Sequence, residues 1–221
     1  MPTKRVILIR PGETEWNKIG RIQGQAAIPL NGHGLEQAHR MAKFLRPIAP
    51  GTLYASDTRR AKEAAEIIAE TLNVSPVYDE RLRERHMGEW QGLSLNEIKS
   101  WFSDDFAGLR NNSIDYQIPG GEAWKQVAER VQMAFEDILK QDDSETIAII
   151  THTTAIRALI NDLVEDANTY LMEFSNMSAT TLAENADGGW HITQLNDISH
   201  LDGMGTRSVI EVEDLRHDSG Y

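Results

Sequence analysis

Arg5-Val6-Ile7-Leu8-Ile9-Arg10-Pro11-Gly12-Glu13-Thr14-Glu15-Trp16-Asn17 is the stretch that decides the fold. Apolar residues run from Val6 to Ile9 without alternation, the pattern of a strand covered on both faces. The run ends in Arg10, a turn and a polar cluster, so the strand delivers polar side chains at its carboxyl end. A guanidinium that terminates an apolar strand is costly unless it is paired. Arg10 therefore marks a candidate site.

Thr146-Ile147-Ala148-Ile149-Ile150-Thr151 is a second fully apolar strand, and it runs into His152. Between the two, Leu35, Ala38, Ala42 and Leu45 recur at helical spacing until Pro47. A strand near 52–55 precedes a helix with Ala61, Ala64, Ala65, Ile68 and Leu72 on one face, and Val77-Tyr78 reads as a further strand. Ser94 and Glu97 form a capping-box pattern opening a helix to about 102. Trp124, Val127, Val131, Phe135 and Ile138 mark a long helix, and Ile156, Leu159 and Ile160 another. Two β-rich stretches near 178–184 and 189–195 flank a hairpin turn at Asp187-Gly188-Gly189. Residues 17–33 and 103–121 read as loops, the latter as a lid or peripheral loop.

This alternation predicts an α/β/α three-layer sandwich, a mostly parallel central sheet with helices on both faces. In such sheets ligands lie beyond the carboxyl ends of the strands. Arg10 and His152 stand there, so one site built from both strands is expected. Residues 1–201 read as a single domain and 202–221 as an acidic appendage.

The chain has 221 residues, a net charge of -12, 40% hydrophobic content and no cysteine. Disulfides, thiolate catalysis and cysteine-ligated metal are excluded. The negative charge argues against nucleic acid and anionic membranes as partners. It leaves room for a small anion, since a few converging arginines suffice to bind one phosphate. No apolar stretch reaches membrane-spanning length and no signal pattern follows Met1, so a cytoplasmic location is expected. His33, His39, His86, His191, His200 and His217 lack metal-ligand spacing, and neither metal nor cofactor is expected.

Six segments in order resemble the histidine phosphatase superfamily, which includes the cofactor-dependent phosphoglycerate mutases and many phosphomonoesterases. They are the opening motif, Leu53-Tyr54-Ala55-Ser56-Asp57-Thr58-Arg59-Arg60-Ala61, Leu82-Arg83-Glu84 with Gly88-Glu89-Trp90-Gln91-Gly92, Pro119-Gly120-Gly121-Glu122, Ile149-Ile150-Thr151-His152, and Asn196-Asp197-Ile198-Ser199-His200-Leu201. The resemblance implies phosphate binding by Arg10, Asn17, Arg60 and His152, with Glu84 protonating the leaving group and His152 also catalytic. It implies a substrate loop at Gln23, Gly24, Gly121 and Glu122, and as partner a small phosphorylated molecule or phosphate. A homodimer remains open.

Three positions depart from the family pattern. Pro11 stands where the family has its phosphorylated histidine, Thr153 where it usually has glycine, and Ala27 where many members have aspartate. Proline carries neither a nucleophilic atom nor a titratable group. The expectation is a phosphate-binding pseudo-phosphatase. The alternatives are a phosphomonoesterase working through His152 or a water activated by Glu84 or Glu13, or a histidine-to-proline exchange introduced into an active phosphatase.

Overall fold

The computed structural model describes residues 4–112 and 114–204. In chain order the elements are β1 (Arg5–Ile9), α1 (Glu15–Lys18), α2 (Gly32–Leu45), β2 (Thr52–Ala55), α3 (Arg59–Leu72), β3 (Val77–Tyr78), α4 (Leu95–Trp101), α5 (Ser103–Asn111), α6 (Trp124–Gln141), β4 (Thr146–Ile150), α7 (Thr153–Leu163), β5 (Ala179–Glu184) and β6 (Trp190–Asp197).

The strands form one sheet in the order β3-β2-β4-β1-β5-β6. β3, β2, β4 and β1 are mutually parallel, while β5 runs antiparallel to both of its neighbours. Successive side chains of a strand point to opposite faces, and here both faces are covered. Ile7, Ile9, Leu53, Ala55, Ala148 and Ile150 pack against Met41, Leu45 and Ile68 of α2 and α3. Val6, Leu8, Ile147 and Ile149 pack against Val131, Phe135, Ile156 and Leu159 of α6 and α7. Full burial of one such side chain contributes about 1.5–3 kcal/mol. That double cover explains why β1 and β4 read as unbroken apolar runs. The layers are those of an α/β/α sandwich.

A third apolar cluster lies apart from the sheet and joins Ile22, Met87, Trp90, Ile98, Phe106, Leu109 and Ile118. It corrects the expected 103–121 loop, because residues 103–111 are helix α5. Only Phe106 and Leu109 are buried on that helix, so its apolar signal is one i, i+3 pair. The expected 17–33 loop begins inside α1, which Thr14 and Asn17 open with a reciprocal capping box. The Ser94–Glu97 capping box is present, and the β5–β6 hairpin turns through Asp187-Gly188-Gly189 with Gly188 at φ 88. Of the acidic stretch 202–221, residues 205–221 lie outside the described part, while Met204 packs on the α2–α3 side of the core.

Candidate active site

The parallel register fixes where the site forms. β1, β2 and β4 end side by side, with Ile9 opposite Ile150 and Ala55 opposite Ile150 on its other side. The chain leaves β1 through Arg10 and Pro11, β2 through Ser56 to Arg60, and β4 through Thr151 and His152. A cleft opens there, and Arg10, Pro11, Asn17, Arg60, Glu84 and His152 all line it. Every one of the six is buried.

His152 is held from both ring nitrogens. An Arg60 Nη2 lies 3.1 Å from its Nδ1, and arginine can only donate, so Nδ1 accepts. Nε2 must then carry the proton, which it directs at Ser56 Oγ (3.0 Å) and Thr58 Oγ1 (3.1 Å). Burial first, then the charges of Arg60, Arg10 and Arg130, push the imidazole pKa well below its ordinary value. His152 is therefore a neutral ring in a fixed tautomer. Thr58, at the N-cap of α3, gives no side-chain cap to that helix and serves the histidine instead.

The two arginines are anchored by backbone carbonyls. Arg10 donates to the Phe174 carbonyl, and Arg60 donates to those of Gly24 (2.8 Å) and Ala26 (3.3 Å). Asn17 Oδ1 accepts from the Thr14 N–H and Oγ1, both at 3.1 Å. Those bonds fix the amide orientation, with Nδ2 as its donor end. Charge and donors thus converge in the cleft, the arrangement that a tetrahedral oxyanion requires.

Glu84 is buried although it lies in a run of charged residues. Its carboxylate accepts from the Arg85 N–H (2.6 Å) and from the Thr154 N–H (3.3 Å) in the first turn of α7. The flanking arginines turn elsewhere. Arg81 pairs with Asp79 and Asp137, and Arg83 makes two bonds of 2.6 and 2.5 Å to Asp57. Arg85 donates to the Glu122 and Tyr116 carbonyls.

Of the expected substrate loop, Gln23 and Gly24 line the cleft, whereas Gly121 and Glu122 do not. Glu122 takes Arg130 in a two-pronged ion pair (2.8 and 2.9 Å) and the His86 N–H at 2.7 Å. Burial pushes its carboxyl up, yet Arg130 outweighs burial and holds it below the ordinary value. Gly121 is a packing position, since a Cβ there would lie 2.3 Å from the His86 carbonyl. Glu13 accepts from Asn31 Nδ2 (2.8 Å) and is not among the lining residues. Ala27 is exposed and does not line the cleft either. No cluster of three or more metal-ligating side chains occurs among the described residues.

Sequence reasoning missed three contributors. Arg130 bonds the carbonyls of Arg81 and Arg83 (both 2.7 Å) and of Glu84 (2.9 Å), clamping the segment that carries Glu84. Asn176 and Arg21 line the cleft. Arg130 sits on the polar flank of an amphipathic helix, and Asn176 lies in a coil before β5, so neither had a local pattern to betray it.

A mostly parallel sheet with arginines converging at its strand ends is an α/β architecture with the chemistry to hold an anion. The chain belongs to the histidine phosphatase superfamily (branch 1), whose model matches residues 6–198. It is 34% identical over 206 residues to a metal-independent phosphoserine phosphatase of Arabidopsis thaliana, covering 90% of this chain and 84% of that one. It is 31% identical over 212 residues to a probable phosphoglycerate mutase of Enterobacter sp. (strain 638), covering 90% and 95%. Among solved structures, a mycobacterial glucosyl-3-phosphoglycerate phosphatase in complex with VO3 superposes with a TM-score of 0.78 at 27% identity, over 87% of this chain and 98% of that one. No helix among the described residues is long and apolar enough to cross a membrane.

Proposed function

We propose that this protein binds a small phosphorylated molecule, or phosphate itself, between Arg10, Asn17, Arg60 and His152. We further propose that the covalent phosphoenzyme route is closed, leaving a pseudo-phosphatase. The observation that carries the reading is Pro11 itself, which lines the cleft beside Arg10, where the superfamily resemblance expects a nucleophilic histidine. The main chain keeps its course there, for the Pro11 carbonyl accepts from the Met177 N–H at 3.2 Å. Chemistry is lost while the binding frame stays. The named relatives act on phosphomonoesters of dissimilar alcohols, so the shared class is the phosphoryl group and the alcohol is left open.

A slower hydrolytic reading is favoured by one feature, the Glu84 carboxylate in the same cleft, which could activate a water. Attack by His152 is disfavoured, because the Nδ1 lone pair already accepts from Arg60 and Nε2 carries the proton. The Glu13 route lacks a residue in the cleft.

Titration calorimetry with vanadate, on the parent and on Arg10→Ala, tests binding. Loss of at least tenfold in affinity is expected, and equal affinity would sink the assignment. Turnover of an aryl phosphate, with rapid-quench labelling, tests the chemistry. Turnover at an ordinary phosphatase rate, or a stoichiometric phosphohistidine, would overturn the pseudo-phosphatase reading.

A further inference from the structure

The turn Gln23-Gly24-Gln25-Ala26 is tied down from several sides at the edge of the cleft. Arg60 donates to the carbonyls of Gly24 and Ala26 at 2.8 and 3.3 Å. The Gln25 N–H donates to Gln91 Oε1 at 2.8 Å, and the Ala26 N–H closes the turn on the Gln23 carbonyl at 3.0 Å. Gly24 packs so closely on residue 91 that a Cβ there would stand 2.6 Å from Gln91 Oε1.

Gln25 is half-buried and does not line the cleft. Its Nε2 donates to the Glu84 carbonyl at 3.0 Å. A carbonyl oxygen can only accept, so the donor end of the amide must face it. That oxygen has a second lone pair, which Arg130 Nη2 meets at 2.9 Å. The two ties on residue 84 lead to different places. Arg130 leads into α6 and, through Glu122, to the His86 N–H. Gln25 leads to the turn that Arg60 holds. The path from the Arg60 guanidinium to Glu84 is therefore one turn and one amide long. The Glu84 carboxylate accepts from the N–H groups of Arg85 and Thr154, and those two bonds report how firmly residue 84 is held.

We propose that Gln25 is a positioning residue, which fixes Glu84 in the cleft and makes its placement depend on the anion held by Arg60. The proposal rests on the phosphate-binding reading above. The guanidinium that meets the anion also carries the turn, so ordering one orders the other, and Gln25 passes that order to residue 84. Such coupling is reciprocal: a looser residue 84 weakens the hold on the anion by the same factor. Gln25 itself touches no ligand.

The test is amide hydrogen exchange followed by NMR on the whole chain, with and without vanadate, in the parent, Gln25→Met and Gln25→Lys. Methionine keeps the reach and loses the donor, whereas lysine keeps both. Without anion, the Arg85 and Thr154 amides of Gln25→Met are expected to exchange about fivefold faster than in the parent, the size of one hydrogen bond. Amides of β4 should not change, and Gln25→Lys should return to the parent rates. A role in packing alone would leave methionine like the parent, and that result overturns the tie. Vanadate should slow the two amides about threefold in the parent and far less in Gln25→Met. An equal vanadate effect in both overturns the dependence on the anion. If vanadate does not bind the parent, the phosphate-binding reading fails and takes that dependence with it, while the anion-free comparison still decides the tie. Should Gln25→Met fail to fold, the parent decides alone: slower exchange confined to these amides on vanadate saturation supports the proposal, and unchanged exchange overturns it.

Discussion

Replacing Pro11 with histidine is the perturbation that most directly tests whether this cleft can support a phosphohistidine route. The cost to stability is small. Losing proline frees the unfolded chain and costs about 0.4–1 kcal/mol. The new residue regains an N–H, and the register shows where it goes. Ile9 pairs with Ile150 and the Thr151 N–H donates to the Ile9 carbonyl at 2.9 Å, so the next parallel rung runs from position 11 to the Thr151 carbonyl. That bond returns about 0.5–1.5 kcal/mol. The two terms cancel within about 1 kcal/mol, or roughly 2–4 °C in Tm for a chain of this length.

The kinetic effect should be large. Arg10 and Arg60 are held by the carbonyls of Phe174, Gly24 and Ala26, and Glu84 by the N–H groups of Arg85 and Thr154. None of these anchors involves the side chain at position 11. A nucleophile restored among groups that are already positioned should raise aryl phosphate turnover by at least about 10³-fold, since removing one from an intact site costs more than that. The assay is turnover of a panel of phosphomonoesters by parent and variant at matched folding, with rapid quench for an acid-labile phosphohistidine. A folded variant that binds phosphate yet gains no rate would refute the reasoning. The obstruction would then lie in another departure, with Thr153 in the cleft wall the first suspect.

Arg130→Ala should destabilise the fold by about 3 kcal/mol, since it frees three carbonyls and leaves the Glu122 carboxylate without its partner; urea denaturation measures this, and a loss under 1 kcal/mol contradicts the clamp. Gly121→Ala should lower the urea midpoint through the clash with the His86 carbonyl while leaving vanadate affinity within about twofold; a selective loss of affinity would instead return Gly121 to the binding loop. His152 makes stability depend on pH. Its folded pKa lies below the unfolded value near 6.5, so the unfolded chain takes up the proton first. The stabilisation is complete above about pH 6.5 and is lost as pH falls toward the folded pKa, by up to about 1.4 kcal/mol per pH unit. Denaturation between pH 7 and 5 should show this slope in the parent and not in His152→Gln.

The layers of the fold were legible because burial on both faces leaves β1 and β4 no polar positions after Arg5 and Thr146, and unbroken apolar runs are easily read. The strand-end residues were legible for the same reason: a charge or imidazole that terminates such a run stands out. Helix α5 was not, because a helix covering a small satellite cluster needs only Phe106 and Leu109 on its inner side, and two residues make no period. The glycine-rich 119–121 segment misled in another way. Gly120 has φ 66, and Gly121 approaches the His86 carbonyl, so the glycines there answer to backbone packing rather than to a ligand.

Arg130 and Asn176 belong to a different class of omission. Each acts through partners distant in sequence: Arg130 through residues 81–84 and Glu122, Asn176 through Pro11 and Asn17. A single sequence carries no trace of such pairings, since an arginine on a helix flank and an asparagine in coil are ordinary surface residues. Burial is what changes their meaning. At 2% exposure an unmade acceptor becomes a constraint that some partner must answer. Asn176 and Pro11 are thus joined in space although 165 residues apart in sequence.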